Sequence, residues 1–235
     1  FHEYAVLIFP QQHLSAQAQL AFATRFGEIE VIVEGLQTVP ISNKAEDGKL
    51  FEENSHRMQL LRGNEGWHTD SSYMPLAAKA SVLSAQVVPS ADGETEWADM
   101  RAAYDALAPD MKERLEGAVA VHSYAFSHTW HGGQEMLGAS DLAHLGPAEH
   151  PVVFTHPATG RRNLYMGRHA SHLAGEDVEV SRILLALLTE EACHPPRVWT
   201  HRWERGDLAM WDNRCVLHRG HPWPDDQART MVRTT

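Results

Sequence analysis

The order of apolar and polar positions along the chain predicts many short strands and a few helices. The strand-like runs are rich in apolar and β-branched residues and are bounded by turn-forming residues. They lie at residues 3–9, 31–43, 80–89, 95–100, 119–126, 151–156, 163–167, 197–203, 207–211, 215–219 and 229–235. Such a pattern predicts a mainly β protein with a sandwich or barrel-like core and helices outside it.

A first helix is predicted directly after the opening strand. Ser15 is a suitable N-cap, because its hydroxyl can accept a hydrogen bond from the first turn. Leu20, Ala23 and Phe26 recur at helical spacing and predict the buried face. Gly27 stands where a helix end favours a positive φ angle, so the helix is expected to end there.

Three further helices are predicted from capping residues and periodicity. Asp99 can cap a helix over residues 100–107, and Pro109 suits the first turn of another helix that ends near Gly117. The last one lies within residues 175–193, because Pro195 and Pro196 forbid its continuation. Its apolar positions are Val180, Ile183, Leu184, Leu187 and Leu188. By contrast, residues 44–64 predict a long loop, and residues 127–149 an irregular, lid-like stretch.

Composition describes a chain that can fold as one domain. It has 235 residues, of which 43% are hydrophobic and 22% charged, close to the averages of globular proteins. A chain of this length can bury roughly 70–75% of the surface that its unfolded form exposes, so a single domain over residues 1–235 is expected. Its apolar runs are much shorter than the roughly 20 residues of a membrane span.

Charge narrows the class of partner. The 31 acidic residues exceed the 20 Lys and Arg residues, which gives a formal net charge of −11. Binding to a phosphate backbone depends on clustered cations, so we expect no nucleic-acid partner. We expect no membrane partner either, so the expected partner is a small molecule. The sequence leaves open whether the chain forms a homo-oligomer.

The two cysteines bear on location. Cys193 and Cys215 have no disulfide-type or metal-type spacing, which is typical of a reducing compartment and predicts a cytoplasmic protein. Because the sequence begins at Phe1 inside a strand-like run, N-terminal residues are expected to be missing from it.

The sharpest local motif is Trp67-His68-Thr69-Asp70. In an extended chain, His68 and Asp70 project from the same face because they are two residues apart. An imidazole and a carboxylate, completed by another histidine, form the facial triad of non-haem Fe(II). The chain has 16 histidines, however, and the same motif also fits a turn that Asp70 caps.

A second motif lies near the other end of the chain. A strand, a turn around Asp212 and Asn213, and a second strand lead to His218, the candidate third ligand. Arg229 and Arg233 follow 11 and 15 residues later. Because they are four residues apart on a strand, they lie on one face, and two inward guanidiniums need anions.

Together these motifs resemble the taurine/2,4-dichlorophenoxyacetate dioxygenase family of Fe(II)/2-oxoglutarate-dependent enzymes. The family pattern is Trp-His-x-Asp early, Trp-Asp-Asn-Arg and then His late, and arginines at the two offsets given above. The resemblance extends nearly from end to end of the chain. Residues 98–107, 169–172 and 210–220 resemble the aryloxyalkanoate-degrading branch more than the taurine enzyme.

The resemblance implies a role for five residues around a metal. His68, Asp70 and His218 are implied to be the catalytic Fe(II) ligands. Thr95 and Arg229 are implied to hold the distal carboxylate of the co-substrate 2-oxoglutarate. The chemistry is consistent, because a guanidinium offers a carboxylate a two-pronged partner and a hydroxyl adds a neutral donor.

Two further residues are implied to bind substrate. Arg233 would face the anionic group of the substrate, with Asn64 as a polar neighbour. Arg233 can instead pair with a carboxylate of the protein, and Asn64 also suits a loop turn. Four other histidines are interpreted as surface, core or loop residues outside the catalytic set: His128, His131, His169 and His172.

The implied protein is a distorted double-stranded β-helix, or jelly roll, with flanking helices. It would use Fe(II), 2-oxoglutarate and O₂ to hydroxylate a small anionic organic substrate. An aryloxyalkanoate, cleaved to a phenol and an oxo acid, is the first expectation, and a sulfonate is the alternative. A non-catalytic jelly-roll protein that binds a metal or small acid, or a zinc hydrolase, also fits the two histidines and the carboxylate.

Overall fold

The computed structural model describes residues 1–31, 37–129 and 145–235. The described strands are β1 (Val6–Phe9), β2 (Val39–Ser42), β3 (Ala80–Val87), β4 (Thr95–Asp99), β5 (Val119–His122), β6 (Ala148–Pro151), β7 (Val153–Thr155), β8 (Arg162–Leu164), β9 (Ala170–Leu173), β10 (Val198–His201), β11 (Leu208–Asp212), β12 (Val216–Gly220) and β13 (Thr230–Thr234). The described helices are α1 (Ala16–Ala23), α2 (His56–Arg62), α3 (Met100–Ala106), α4 (Pro109–Leu115), α5 (Tyr124–Thr129) and α6 (Val178–Ala192), with a 3₁₀ turn at Gly63–Glu65.

The strands form a large antiparallel sheet and several smaller ones. The five-stranded sheet has the order β1-β11-β3-β13-β2, and a three-stranded sheet has the order β10-β4-β12. A second three-stranded sheet, β6-β5-β9, and the β7-β8 pair complete the described strands. Neighbours in the sheets are distant in sequence, since β3 lies between β11 and β13. Residues near both ends of the chain therefore meet in one sheet.

The core between the five-stranded sheet and the β10-β4-β12 sheet is apolar and tightly closed. Leu83 from β3 and Trp211 from β11 pack in one buried cluster with Trp97 from β4 and Val216 from β12. A second cluster fills the space between α3, α6 and the β5 region, with Leu115, Leu164 and Leu173 almost fully buried. The two packed sheets provide the rigid walls that position the candidate site.

Several predicted elements are confirmed. Ser15 caps α1 by accepting a hydrogen bond from the Ala18 backbone, and Asp99 caps α3 in the same way. Pro109 begins α4, and Gly117 just beyond it has a φ angle of +72°. The predicted strands over 80–89 and 95–100 are present as β3 and β4, although they lie in different sheets.

The predicted end of α1 is wrong, and its predicted buried face is confirmed only at Ala23, which is buried. The helix ends at Ala23, and Gly27 does not have a positive φ angle. Gln19 is fully buried, whereas Phe26 is exposed. The Gln19 amide bonds to backbone and side-chain oxygens of β13, and its carbonyl accepts from Ser84 on β3, so the polar group is satisfied inside the core.

The predicted local structure of two segments is wrong. The predicted loop over 44–64 contains α2, where the Ser55 hydroxyl caps the helix and Met58 is buried. The predicted strand over 119–126 ends at His122, because the Ser123 hydroxyl accepts from the Phe126 amide and starts α5.

Two predicted segments lie partly outside the residues that the structure describes. Residues 32–36 of the extended run and residues 130–144 of the lid-like stretch, which include His131, lie outside the described residues. In the described part of the chain, no helix is both long and apolar enough to cross a membrane.

Candidate metal centre

The side chains of the three predicted metal ligands, His68, Asp70 and His218, lie close together. Their candidate ligand atoms lie within 4.8 Å of one another, and all three side chains are buried. The His68 Nε2 atom is 4.0 Å from Asp70 Oδ1, and the His218 Nε2 atom is 3.7 Å from Asp70 Oδ2. Residues 150 positions apart in sequence are therefore brought to metal-binding separation by the fold.

Backbone pairing holds the two histidines together. The amide of His68 donates to the carbonyl oxygen of His218 at 3.0 Å, and the amide of His218 donates back at 2.7 Å. His218 belongs to β12, whereas His68 lies on an extended stretch after the 3₁₀ turn. Ser71, with a φ angle of +55°, ends that stretch directly after Asp70.

Both histidine rings are in the uncharged form that can ligate a metal through a nitrogen lone pair. The Nδ1 atom of His68 lies 2.8 Å from the Gly66 carbonyl oxygen, so Nδ1 carries the proton and Nε2 the lone pair. Burial lowers the pKa of His218 to about 4 and holds the pKa of His68 well below its ordinary value. Both rings are therefore neutral at pH 7, which metal ligation requires.

The carboxylate of Asp70 is held ionised. Burial opposes its ionisation, but Arg233, His218, His68 and the Ser81 hydroxyl together hold the pKa of Asp70 below its ordinary value. The Arg233 Nη1 atom donates to Asp70 Oδ1 at 2.6 Å, and the Ser81 hydroxyl donates to Oδ2 at 2.6 Å. A carboxylate with two strong donors keeps its charge and its direction.

A polar chain behind Ser81 fixes the ligand arrangement. The Asn213 amide nitrogen donates to Ser81 Oγ at 2.8 Å, and its carbonyl oxygen accepts from Trp211 Nε1 at 2.8 Å. The Thr69 hydroxyl donates to the Asn213 backbone carbonyl at 2.7 Å. The turn around Asp212 and Asn213 thus supports Asp70 through Ser81. No sequence signal singled out Ser81.

This donor set fits a divalent transition metal. Two neutral imidazole nitrogens and one ionised carboxylate oxygen match the facial triad of non-haem Fe(II), which leaves other coordination positions open. A second His/His/Asp group exists in the described ranges, at His2, His156 and Asp212. There the Asp212 carboxylate already accepts four hydrogen bonds from Arg214 and His156, so that group is structural.

Thr95 and Arg229 line a small inner compartment, a cavity of about 40 Å³ that also touches His68 and His218. The Thr95 hydroxyl accepts from Trp203 Nε1 at 2.9 Å. Arg229 donates from Nε to the Gly93 carbonyl at 3.2 Å, and burial lowers its pKa to about 10, so it stays cationic. The structure therefore brings both residues to the triad.

Asn64 and Arg233 border both this compartment and a larger outer compartment, a cavity of about 250 Å³ that reaches His68 and Asp70. The outer compartment is also lined by Tyr73, Tyr124, His128, Arg168 and His169. The motifs of the sequence leave His128 and His169 outside the predicted site and do not point to Tyr73, Tyr124 or Arg168. One signal was available in the sequence, because the predicted strand over 163–167 ends at Gly167 and is followed directly by Arg168 and His169.

This chain is similar to known proteins over nearly its whole length. Residues 1–235 match the family model described as "Taurine catabolism dioxygenase TauD, TfdA family". The (S)-phenoxypropionate/alpha-ketoglutarate-dioxygenase of Sphingobium herbicidovorans is 46% identical over 236 residues, 97% of this chain and 80% of that relative. The alpha-ketoglutarate-dependent 2,4-dichlorophenoxyacetate dioxygenase of Burkholderia sp. (strain RASC) is 41% identical over 241 residues, 98% of this chain and 81% of that relative.

Solved structures agree with the sequence relatives. The crystal structure of AAD-2 in complex with Mn(II) and N-oxalylglycine has a TM-score of 0.92 and 39% identity to this chain. The match covers 99% of this chain and 82% of that one. The expected mainly β jelly roll with flanking helices is therefore confirmed.

Proposed function

This chain belongs to the taurine catabolism dioxygenase TauD, TfdA family, and on that premise we propose that it oxidises an aryloxyalkanoate to a phenol and an oxo acid. It is an Fe(II)- and 2-oxoglutarate-dependent dioxygenase that uses an organic substrate and O₂. One observation carries the choice of substrate: beside the triad, the outer compartment combines aromatic side chains with guanidiniums.

In this proposal His68, Asp70 and His218 hold Fe(II). When bound, Fe(II) supplies the oxidising chemistry that consumes O₂ and 2-oxoglutarate. The protein's own part is to keep both rings neutral, Asp70 ionised and all three side chains buried away from bulk water. The Ser81 hydroxyl and the Gly66 carbonyl fix the direction of two ligands, which is how surrounding groups tune a metal site.

Thr95 and Arg229 bind the distal carboxylate of 2-oxoglutarate. Their support is the inner compartment, where a buried guanidinium and a hydroxyl lie near the two histidines. Among the described residues Arg229 has no carboxylate within salt-bridge distance, so its charge is available to a ligand. Neither a zinc hydrolase nor a simple metal-binding protein needs this second anion site.

The aromatic ring of the substrate packs against the outer compartment. Tyr73 lines this cavity, and its ring centroid lies 4.8 Å from that of Tyr124 and 5.0 Å from that of His169. Rings at these distances offer edge and face contacts to a further ring. The substrate carboxylate is oriented toward Arg233 and Asn64, which border both compartments.

The two oxygen atoms of O₂ are accounted for by the two organic acids of the reaction, 2-oxoglutarate and the substrate. One oxygen atom of O₂ enters succinate as 2-oxoglutarate loses CO₂, and the other enters the substrate as a hydroxyl. Hydroxylation at the carbon beside the ether oxygen gives a hemiacetal. Its carbon–oxygen bond then breaks, which releases the phenol and leaves an oxo acid.

The triad is tested first by spectroscopy. Purified protein is mixed anaerobically with Fe(II) and 2-oxoglutarate, and the visible charge-transfer band of the chelate is recorded. We expect the band in the wild type and in the control His172→Ala, and its loss in His218→Ala. No band in the wild type would overturn the metal assignment.

The substrate class is tested next by succinate release. We expect turnover with phenoxyacetate-type acids in preference to aminosulfonates such as taurine. Preference for the sulfonate would replace the aryloxyalkanoate proposal with its alternative.

Finally, we propose a cytoplasmic protein without a nucleic-acid or membrane partner. The unpaired Cys193 and Cys215 and the net charge of −11 support this proposal. Size-exclusion chromatography with light scattering decides between a monomer and a homo-oligomer.

A further inference from the structure

A row of tryptophan rings begins in the smaller of the two packed sheets. Trp97 on β4 lies directly across from Trp199 on β10 and from His218 on β12. Residues directly opposite each other on neighbouring antiparallel strands point to the same face of the sheet. The rings of Trp97 and Trp199 are accordingly stacked, with centroids 5.5 Å apart and an interplanar angle of 26°.

Trp211 completes this row from the opposite, five-stranded sheet. Its ring centroid lies 5.7 Å from that of Trp97 and 4.7 Å from that of His218, the candidate metal ligand. Trp211, Trp97 and Trp199 are called the tryptophan row below. The row starts in contact with the candidate metal centre and runs outward without a gap between neighbouring rings.

The two ends of the tryptophan row differ in their exposure to solvent. Trp97 and Trp211 are almost fully buried, whereas Trp199 keeps 48% of its surface exposed. The inner end therefore lies beside a ring of the triad, and the outer end is open to dissolved molecules. The row connects the two through the apolar core between the sheets.

Packing alone does not explain why these rings are indoles. The Nε1 atom of Trp97 is buried and has no hydrogen-bond partner among the described residues. A buried donor without an acceptor is destabilising, and phenylalanine would avoid that penalty. Trp199 likewise places a large apolar ring in water. The property that all three indoles share, and that phenylalanine lacks, is the ready loss of one electron.

We propose that the tryptophan row is an electron path that returns the metal centre to its reduced state when O₂ is consumed without an organic substrate. The inference goes beyond the proposed function and rests on its assignment of His218 as a metal ligand. In such a turnover 2-oxoglutarate and O₂ give succinate and CO₂, and the second oxygen atom has no substrate to enter. Two electrons and two protons convert that atom to water.

The two electrons move one at a time along the row. Trp211 supplies an electron to the metal centre, Trp97 refills Trp211, and Trp199 refills Trp97. At the surface Trp199 takes an electron from a dissolved one-electron reductant such as ascorbate. Two reductant molecules are thereby oxidised by one electron each, and the two protons come from the solvent. Without a reductant the electron deficit stays on Trp199, where water and O₂ reach the ring and oxidise it covalently.

The test maps where covalent oxidation appears when the organic substrate is left out. Protein loaded with Fe(II) and 2-oxoglutarate is exposed to O₂ without a reductant, and O₂ uptake is recorded. The protein is then digested, and oxygen addition to each tryptophan is measured by mass spectrometry. We expect addition at Trp199 to exceed that at the partly exposed Trp223, which lies outside the row and reports diffusing oxidants.

Trp97→Phe interrupts the row while it keeps an aromatic ring in the core. It removes no hydrogen bond among the described residues, because the Trp97 Nε1 atom makes none there. We expect this variant to bind Co(II) and to take up O₂ like the wild type. Oxygen addition at Trp199 should fall to the level of Trp223, and addition at Trp211 should rise.

Trp199→Phe removes the outer end of the row at an exposed position, so it tests the path even if Trp97→Phe folds poorly. In the presence of ascorbate, it should oxidise less ascorbate for each O₂ consumed than the wild type does. Tyr4→Phe is the matched control, because Tyr4 is an exposed aromatic residue outside the row. It should oxidise ascorbate and Trp199 like the wild type.

Each contrary outcome has a distinct meaning. Unchanged oxygen addition at Trp199 in Trp97→Phe, or unchanged ascorbate oxidation in Trp199→Phe, would overturn the inference and leave the proposed function standing. Wild-type O₂ uptake without preferential oxidation of Trp199 would also overturn it. So would the absence of O₂ uptake without substrate, since no electrons would then be needed. A wild type that does not bind Fe(II) would overturn the metal assignment and the inference together.

Discussion

Replacing Ser81 with alanine tests whether the hydrogen-bonded side chains of Ser81 and Asn213 raise the metal affinity of the triad. The Ser81 hydroxyl is fully buried and donates to Asp70 Oδ2 at 2.6 Å. A hydrogen bond to a charged group contributes about 1.5–3 kcal/mol. At about 1.4 kcal/mol per tenfold, its loss predicts roughly 10- to 100-fold weaker metal binding, in the range known for groups that orient metal ligands.

The same change has a second consequence for stability. Ser81 accepts from the Asn213 amide at 2.8 Å, so alanine leaves a buried donor without its acceptor. A stranded buried donor costs about 1–3 kcal/mol. Together with the lost bond to Asp70, the metal-free variant should therefore lose about 2.5–6 kcal/mol of unfolding free energy in urea.

The assay is anaerobic calorimetry with Co(II), which does not oxidise during the titration. Ser84→Ala is the matched control, because Ser84 is a buried serine of the same strand whose hydroxyl donates to Gln19. It should lose stability but bind Co(II) within threefold of the wild type. Equal Co(II) affinities of Ser81→Ala and Ser84→Ala would refute the reasoning.

Three further outcomes are expected. Arg229→Lys should raise the KM for 2-oxoglutarate roughly 10- to 100-fold with unchanged Co(II) affinity, because lysine cannot form the two-pronged pair; equal KM values would contradict this role. Gly167→Ala should lose about 2–3 kcal/mol of unfolding free energy in urea, because its φ of +119° and the nearby Trp67 carbonyl disfavour a Cβ. Burial and His150 lower the pKa of His122 from 6.5 to about 3, so protonation favours the unfolded state below pH 6.5. Between pH 7.5 and 5 the wild type should therefore lose about 2 kcal/mol more stability than His122→Asn, and parallel pH profiles would contradict this assignment.

Much of the site was predictable because its signals are local. His68 and Asp70 share a face through the two-residue period of an extended chain, and the four-residue spacing of Arg229 and Arg233 predicts a shared face by the same period. Ser15 and Asp99 cap their helices through contacts within a few residues. Such features depend on neighbours in sequence, and the structure confirms these caps and brings the expected site residues together.

The face that each element buries was less predictable. In α6, Val180, Ile183 and Leu187 are exposed, while Leu185 and Leu188 are buried. This helix is apolar on more than one side, so periodicity identifies the helix but does not choose the buried stripe. Its exposed stripe is set by where α6 meets β9 and α3.

The sequence by itself determined the strand-rich architecture, the helix caps and the residue types of the candidate metal ligands, because short-range periods and spacing govern them. Only the tertiary structure decided that Ser81 and Asn213 support Asp70, and that Arg168 enters the outer compartment without an anion of its own. Those pairings join elements far apart in the chain. Their partners are set by sheet order and by the close backbone approach at Gly167, which no local pattern encodes.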